Sequence, residues 1–567
     1  MKRIFSYLLV MVTIAFGGGK ALAQSVNIND VVYSVSGDYA TVTGYNFNGS
    51  NAAVEVQAKV SINGVEYSVK EIGNSAFNNK DSLVSVTLPE GIKTIGISAF
   101  YSCGGLTAIN FPKGLESIGD EAFRSCTKLA AIELPEGLKS IGAYAFGYCQ
   151  SVTTLAIPAG VTSVGTNAFR NCTKLTTATL PQTITSISNY MFYNCGVLTA
   201  IIIPEGVMSI GNSAFEYCSG LATVTLPKSL KSIGSDAFWS CSALTTLNLS
   251  EGMMLTSMGS NVFNNTALSL PTEGGIRYVG SFAYELSDRS LAEYVIKEGT
   301  TSINAGLFSN CTAMTNVTIP ESVVFIGENA FSGCTSLPIE NGIRYADCYA
   351  IETTDKTLTD YTLKDSVRYL GNNLFNGCKS MTAMTIPAGV TQIGNRTFYG
   401  CSSMTTVTLP ENLKSIGNEA FYNCSKLTAI DIPAGVTTIG NHAFYNCSAL
   451  ASAITLGEGM TYLGEYAFYN CTALKSINIP AGVESIGRYT FNNCTSMTEA
   501  TLAEGLKSIG EYAFYYCRSL KSIHIPAGVE SIGRETFNNC TSMTKATLAE
   551  GLKTIGATAF FQCSALQ

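Results

Sequence analysis

The chain is dominated by a repeat of 23 residues, marked by a phenylalanine and by a cysteine three residues later. The cysteines from Cys103 to Cys241 keep this spacing, and so do those from Cys378 to Cys447 and from Cys471 to Cys563. Such a period is typical of a solenoid, because each short unit buries its apolar face only by stacking on its neighbours. The markers predict a leucine-rich repeat array of about twenty coils.

One repeat unit, residues 106–126, illustrates the expected local structure. Residues 106–111 carry apolar side chains at the spacing of a leucine-rich strand whose alternate side chains point inward. Gly119 is expected to take a positive φ at a corner. Apolar residues of the segment 122–126 recur at one-turn spacing, which predicts a short helical or 3-10 turn. The expected fold class is therefore an α/β repeat solenoid, rich in β-structure.

The N-terminus has the pattern of a signal peptide, which we assign to residues 1–23. Lys2 and Arg3 precede an apolar run, and Ala21-Leu22-Ala23 has the small residues of a cleavage site. No later segment approaches the roughly 18 apolar residues of a transmembrane helix. The sequence therefore predicts an exported protein that is secreted or held at the cell surface or outer envelope, with no membrane span after signal removal.

The remaining chain divides into four parts by its repeat pattern. Residues 24–70 lack the repeat and have short β-branched runs, which predicts an N-terminal β cap that covers the first coil. Repeat block 1 covers 71–265, repeats with two hairpin-like inserts cover 266–375, and block 2 covers 376–567. No capping segment precedes Gln567, so we expect a longer native protein or a partner that covers the last coil.

The two inserts, residues 271–303 and 338–370, are versions of one segment. In the second, Ile343-Arg344-Tyr345 begins a strand-like run and Thr354-Asp355-Lys356 marks a turn. Both patterns favour a β-hairpin that projects from the coil. Such a hairpin either contributes to a binding face or merely extends the local sheet.

The repeat sequence resembles a known family. The segment 427–450, LTAIDIPAGVTTIGNHAFYNCSAL, is similar to the repeat of the BspA-type leucine-rich repeat proteins, surface antigens of Gram-negative anaerobes. The similarity covers roughly residues 71–567. It implies an adhesin-like protein that binds extracellular or host proteins. The matching residues are those that stack, so the resemblance assigns no binding residue.

Nineteen cysteines in an exported chain usually indicate a disulfide framework. Equivalent cysteines in stacked coils, however, lie about 4.8 Å apart with parallel Cβ vectors, which disfavours a bridge. We therefore predict a ladder of buried, reduced thiols that act as small apolar residues. Cys348 lies off this ladder, within the second insert, and is expected to be the exposed or reactive thiol.

No pattern in the sequence indicates catalysis, a cofactor or a metal site. The two histidines, His442 and His524, lack partners at metal-ligand spacing, and no nucleophile elbow, Walker loop or zinc-protease helix is present. A net charge of −7 with only 13% charged residues argues against a nucleic-acid partner. Asn-Cys-Thr and Asn-Cys-Ser triplets, as at Asn171 and Asn446, match glycosylation sequons but are interpreted as structural turns.

Two outward-facing rows are candidate ligand-binding surfaces. The first is a row of strand threonines, which includes Thr177, Thr179, Thr223 and Thr225. This row is able to present hydroxyls to a glycan or a protein, but threonine is also a common residue of any solvated strand.

The second row is a column of tyrosines that directly follow the repeat phenylalanines: Tyr399, Tyr422, Tyr445 and Tyr469. Tyrosine offers a large contact area with a polar tip, which suits a binding face. The same rings are equally able to shield the core beneath them.

Three functions remain open at this stage. The first is an exported adhesin-like protein that binds extracellular or host proteins. The second is a glycan-binding accessory protein of the envelope, and the third is a passive structural array without a ligand. An enzyme is not expected.

Overall fold

The computed structural model describes residues 25–46 and 52–567, so the expected signal peptide lies outside the described residues. All regular secondary structure in these ranges is β-strand. The expected α/β class and its helical or 3-10 turns are therefore wrong, although the solenoid of about 21 stacked turns is present. The chain forms two compact units: unit 1 runs up to Pro271 and includes Tyr278–Tyr284, and unit 2 comprises Thr272–Arg277 and Glu285–Gln567.

The first twenty-one strands belong to unit 1. They are β1 Ser25–Ile28, β2 Val31–Ser36, β3 Tyr39–Tyr45, β4 Ala53–Glu55, β5 Lys59–Ile62, β6 Val65–Ile72, β7 Ser85–Thr87, β8 Thr94–Ile95, β9 Ala108–Ile109, β10 Ser117–Ile118, β11 Ser140–Ile141, β12 Thr154–Ala156, β13 Ser163–Val164, β14 Thr177–Thr179, β15 Ser186–Ile187, β16 Ala200–Ile202, β17 Ser209–Ile210, β18 Thr223–Leu226, β19 Ser232–Ile233, β20 Thr246–Leu249 and β21 Ser257–Met258.

The later strands lie in unit 2, apart from β23 and β24, whose residues are divided between the units. They are β22 Thr272–Glu273, β23 Ile276–Val279, β24 Phe282–Leu286, β25 Glu293–Val295, β26 Ser302–Ile303, β27 Asn316–Thr318, β28 Phe325–Ile326, β29 Ile339–Glu340, β30 Ile343–Ala346, β31 Tyr349–Thr353, β32 Tyr369–Leu370, β33 Ala383–Thr385, β34 Gln392–Ile393, β35 Thr406–Thr408, β36 Ser415–Ile416, β37 Thr438–Ile439, β38 Ile454–Thr455, β39 Tyr462–Leu463, β40 Ser476–Ile479, β41 Ser485–Ile486, β42 Glu499–Leu502, β43 Ser508–Ile509, β44 Ser522–Ile525, β45 Ser531–Ile532, β46 Lys545–Leu548 and β47 Thr554–Ile555.

A regular coil contains two strands, and each pairs in parallel with its equivalent in the next coil. The first strand forms the long ladder, as where β16, β18 and β20 pair in register. The second strand, only two residues long, forms what we call the short ladder; β34, β36, β37 and β39 are one run of it. The sequence pattern did not predict the second strand, because two residues are too few to show an alternating period.

The turn segment between the short strand and the cysteine is not helical because its amides alternate between two kinds of partner. The amide of Tyr101 bonds the carbonyl of Ser98 within the same coil at 3.1 Å. The amides of Phe100 and Ser102 instead bond carbonyls of the next coil, at 2.7 and 2.8 Å. Ser98 and Ser102 have positive φ values of 54° and 52°, which a right-handed helix excludes.

The expectation of a positive φ at Gly119 is also wrong, since the φ of this residue is not positive. A Cβ atom at this position would lie 2.8 Å from the carbonyl carbon of Gly96 in the preceding coil. Glycine is therefore required because stacked coils approach too closely for a side chain, and not because of the corner's dihedral angles.

Stacked phenylalanines and cysteines form the core of both units. In unit 1 the rings of Phe100 and Phe123 lie 5.1 Å apart and 5° from parallel. In unit 2 Phe421 and Phe444 lie 5.1 Å apart and 2° from parallel. All 19 cysteines are free thiols, and all are buried except Cys563, which is half-buried. The predicted ladder of buried, reduced cysteines is thus present.

The second insert contains the expected hairpin, but this hairpin is part of the coil stack. Strands β30 and β31 pair antiparallel, and β31 then pairs in parallel with β32, so the insert extends the local sheet. Cys348 lies in the hairpin turn with only 4% of its surface exposed, so the prediction of an exposed thiol is wrong. Burial raises the pKa of Cys348, although a 3.1 Å hydrogen bond from Arg368 opposes this.

Candidate binding faces

The predicted tyrosine column exists and lies on the turn face of unit 2, which we define as the surface of the turn segments. The ring centroids of Tyr399 and Tyr422 lie 4.7 Å apart. Those of Tyr422 and Tyr445, and of Tyr445 and Tyr469, lie 4.6 Å apart. All three pairs are within 6° of parallel. The four rings form one rigid face-to-face stack.

This stacking determines which part of each ring is open to a ligand. All four tyrosines are half-buried, and the two inner rings, Tyr422 and Tyr445, have a neighbour on each face. Burial raises the pKa of both inner hydroxyls, and the adjacent tyrosines raise it further. The column therefore presents ring edges and hydroxyls to solvent more than ring faces.

A second aromatic column runs beside the first and was missed in the sequence. His442, Tyr466, Tyr489 and Tyr512 stack at centroid distances of 4.7, 4.7 and 4.6 Å. Each occupies the first positive-φ position of its turn segment. The aromatic recurrence is visible in the sequence, but Arg396 and Glu419 hold the same position in earlier coils and obscure it. The two columns are in contact, since the ring centroids of Tyr466 and Tyr469 lie 5.8 Å apart.

The turn face of unit 1 carries aromatic rings mixed with arginines, which the sequence analysis also missed. The guanidinium of Arg170 lies 4.0 Å from the ring centroid of Tyr193, at a cation–π distance. Arg124 lies 4.7 Å from the ring of Tyr144 in the same way. Arg124 and Arg170 occupy the position next to the repeat phenylalanine that tyrosines hold in unit 2.

The threonine row is less distinctive in the structure. Thr177 and Thr179 are exposed on β14, while Thr223 and Thr225 are half-exposed on β18. Ile202, which pairs with Thr225 across the ladder, is 72% exposed and interrupts the polar row. The row thus forms a flat, weakly featured sheet surface.

Asparagines that precede the repeat cysteines, including those of the sequon-like triplets, form ladders of side-chain hydrogen bonds. Asn446 Nδ2 donates to Asn423 Oδ1 at 2.8 Å, and Asn194 Nδ2 donates to Asn171 Oδ1 at the same distance. These asparagines have positive φ, a conformation that asparagine tolerates better than most residues. Such contacts support the interpretation of the triplets as structural turns.

The histidines show no arrangement for chemistry. His442 stacks in the second aromatic column, and His524 is exposed on β44. Within residues 25–46 and 52–567, no three His, Cys, Asp or Glu side chains are grouped to hold a metal ion. The same ranges contain no helix of the length and hydropathy needed to cross a bilayer.

The repeats of this sequence match a known protein family. The BspA type leucine rich repeat region matches residues 55–176, 162–285, 277–352, 349–475 and 461–567. The chain belongs to the BspA-type leucine-rich repeat family. No curated protein matches this BspA-type chain.

Solved structures similar to the BspA-type chain come from several bacteria. A leucine-rich repeat protein from Bacteroides ovatus is 24% identical over 84% of this chain and 99% of its own, with a TM-score of 0.37. A leucine rich cell surface protein from Faecalibacterium prausnitzii is 22% identical over 84% and 94%, with a TM-score of 0.35. The T. pallidum leucine rich repeat protein is 33% identical over 34% and 88%, with a TM-score of 0.32.

Proposed function

We propose that this BspA-type protein is an exported surface protein that binds an extracellular protein, adhesin-like, through the turn face of unit 2. The observation that carries the proposal is the pair of adjacent aromatic columns, four rings each, on one side of the stack. Family membership supports a surface location, and the sequence pattern of residues 1–23 supports export.

The composition and rigidity of this face suit a protein ligand. Tyrosine and arginine are enriched among the residues that contribute most to interface affinity. Stacked rings are already immobilised, so binding costs less side-chain entropy than ordering free side chains would. Ion pairs at the margins, such as Arg396 with Glu419 at 2.8 Å, provide a polar rim.

A glycan fits the same face less well. Sugars pack their C–H surfaces against open aromatic faces, and the faces of the inner column rings are covered by neighbouring tyrosines. Edges and hydroxyls, in contrast, suit the mixed polar and apolar surface of a folded protein. A protein partner is therefore favoured at this site.

The experiment measures binding of the chain without residues 1–23 to a panel of immobilised extracellular-matrix proteins. Tyr445→Ser and Tyr489→Ser should each weaken binding about 30-fold, which corresponds to the roughly 2 kcal/mol of an interface hot spot. Val295→Ser is the control, since this exposed residue lies on β25 of the same unit, outside the turn segments.

Thermal unfolding of the same variants separates binding from stability. Each inner column ring makes two stacks, and each aromatic pair contributes about 0.5–1.5 kcal/mol. A folded Tyr445→Ser variant with unchanged affinity would exclude this face as the binding site. Absence of binding to every matrix protein would favour the passive array.

A further inference from the structure

A groove of about 470 Å³ lies over the short ladder of unit 2 and the beginning of its turn segments, and none of the aromatic column rings lines it. Gln392, Ser415 and Thr438, from successive coils, line it, together with Tyr462 of β39 and Tyr369 of β32 in the neighbouring sheet. Its volume lies within the usual range of small-molecule sites, roughly 300–1,000 Å³.

The groove depends on contacts between distant coils around the second insert. The segment 324–328 of an earlier coil lines the groove together with the later strands. Glu328 accepts hydrogen bonds from Asn372 Nδ2 at 3.0 Å and from Asn395 Nδ2 at 3.1 Å. Arg368 donates to the carbonyls of Ile319 and Pro320, each at 3.2 Å. These bonds hold the earlier coil in place against the later ones.

The polar groups of the groove favour an uncharged ligand. Its lining contains no lysine or arginine, and its one carboxylate, Glu328, already accepts two amide hydrogen bonds. The remaining polar side chains are neutral amides and hydroxyls, such as Gln392, Ser415 and Thr438. A phosphate or sulfate group would find no cation among the lining residues.

A peptide strand is an unsuitable occupant. Strand addition requires an open sheet edge with free backbone groups. Here β36 and β37 are each paired on both sides, and the groove lies over the face of their sheet. The ligand must therefore bind to side chains.

Tyr462 provides an aromatic surface of a kind the stacked columns lack. Its side chain is 49% exposed, and its hydroxyl donates to Asn441 Oδ1 at 2.9 Å, which fixes the ring. Among the described residues, no other aromatic ring stacks on it. A fixed ring with an open face suits the C–H surface of a sugar ring.

The groove is also elongated along the stack. From β34 to β39 it crosses four paired strands of the short ladder, which at about 4.8 Å per step spans about 14 Å, and it continues to Tyr369 of β32. We propose that this groove binds a neutral oligosaccharide, with its hydroxyls on Gln392, Ser415 and Thr438 and one sugar ring on Tyr462. None of the column rings lines the groove, so the proposal does not rest on the protein-binding function.

The test is calorimetric titration of the chain without residues 1–23. The probes are linear neutral hexasaccharides of glucose, mannose, galactose and N-acetylglucosamine, with a sulfated heparin hexasaccharide as the charged comparison. We expect at least one neutral probe to bind and the sulfated probe to bind more weakly. Failure of all neutral probes to bind, or preference for the sulfated one, would overturn the proposal.

Three variants locate the site. Tyr462→Ala should weaken binding of the neutral probe at least tenfold, and Tyr462→Phe should weaken it less because the ring remains. Tyr445→Ser, on the turn face, should leave the affinity unchanged. Because Tyr462 is exposed, its replacement should leave the protein folded, so weaker binding would not result from unfolding. Melting curves of the variants check that they remain folded. An unchanged affinity in Tyr462→Ala would refute the assignment.

Discussion

The thiol of Cys424 donates a hydrogen bond of 3.1 Å to the main-chain carbonyl of Phe398 in the preceding coil. The same bond recurs from Cys447 to Phe421 and from Cys401 to Phe375. Each carbonyl is part of the turn segment, so the cysteine fills the core and also bonds a buried backbone acceptor. This double role predicts that alanine would not fully replace cysteine at this position.

Replacing Cys424 should test that bond. Cys424→Ala should lower the free energy of unfolding by about 0.5–1.5 kcal/mol, because the carbonyl of Phe398 loses its thiol donor and keeps only the amide of Cys401. Cys424→Ser should lower the free energy of unfolding by a smaller amount, since the serine hydroxyl restores a hydrogen-bond donor. Urea unfolding of both variants measures the difference. An alanine variant as stable as the serine variant would show that the hydrogen bond contributes nothing.

Thiol reactivity should be confined to the end of the ladder. A hydrogen bond from Cys540 lowers the pKa of Cys563, whereas burial raises the pKa of Cys172 and of Cys447 to about 12. A lower pKa gives more thiolate at a given pH, and the thiolate is the reactive form. At pH 8 iodoacetamide should therefore modify Cys563 first, as read by peptide mass spectrometry.

The comparison for this reactivity is Cys348. Its burial and raised pKa predict slow labelling in the folded protein, despite its position off the ladder. Cys563→Ser should abolish the fast iodoacetamide labelling of the folded protein. Rapid modification of Cys348 in folded protein would contradict the buried hairpin turn.

Substitution at two glycines, Gly142 and Gly400, should affect stability very differently. A Cβ at Gly142 would lie 2.4 Å from the amide nitrogen of Asp120, so Gly142→Ala should destabilise strongly, by about 2 kcal/mol or more. Gly400 has a φ of +71° with open space around it. Gly400→Asn should be tolerated within about 0.5 kcal/mol, because asparagine accepts this φ and is able to bond Asn423.

Thermal unfolding of the two glycine variants checks this contrast. Gly400→Val serves as the control, since a β-branched residue does not accept positive φ without strain. Equal stability of the Gly142→Ala and native proteins would show that the stacked coils separate more easily than the contacts indicate.

The hydrogen bonds of the asparagine ladder at Asn446 should contribute measurably to the stability of the fold. Its side chain donates to Asn423 and accepts from Asn470. Asn446→Gly keeps the positive φ and removes only these bonds, so it should cost about 1–2 kcal/mol. Asn446→Ala should cost more because it adds backbone strain. A glycine variant as unstable as the alanine variant would assign the whole effect to the side-chain bonds.

Much of the architecture followed from local patterns. The period of Phe123 and Cys126 predicted stacking, since such short units bury their apolar residues only against equivalent units. The same reasoning predicted that the cysteines are reduced. It failed at the turn segment, where one-turn spacing suggested a helix, because amides such as that of Phe100 bond the next coil instead.

The amino-acid order alone was enough to establish the repeat, the inward residues and the aromatic column of Tyr399 to Tyr469, because these depend on a period of 23 residues. It did not reveal that the ring faces of the column cover one another. Nor did it reveal the groove, where Glu328 bonds Asn372 and Asn395, 44 and 67 residues later. Those features arise where side chains from separate coils meet, and a local pattern does not encode such distances.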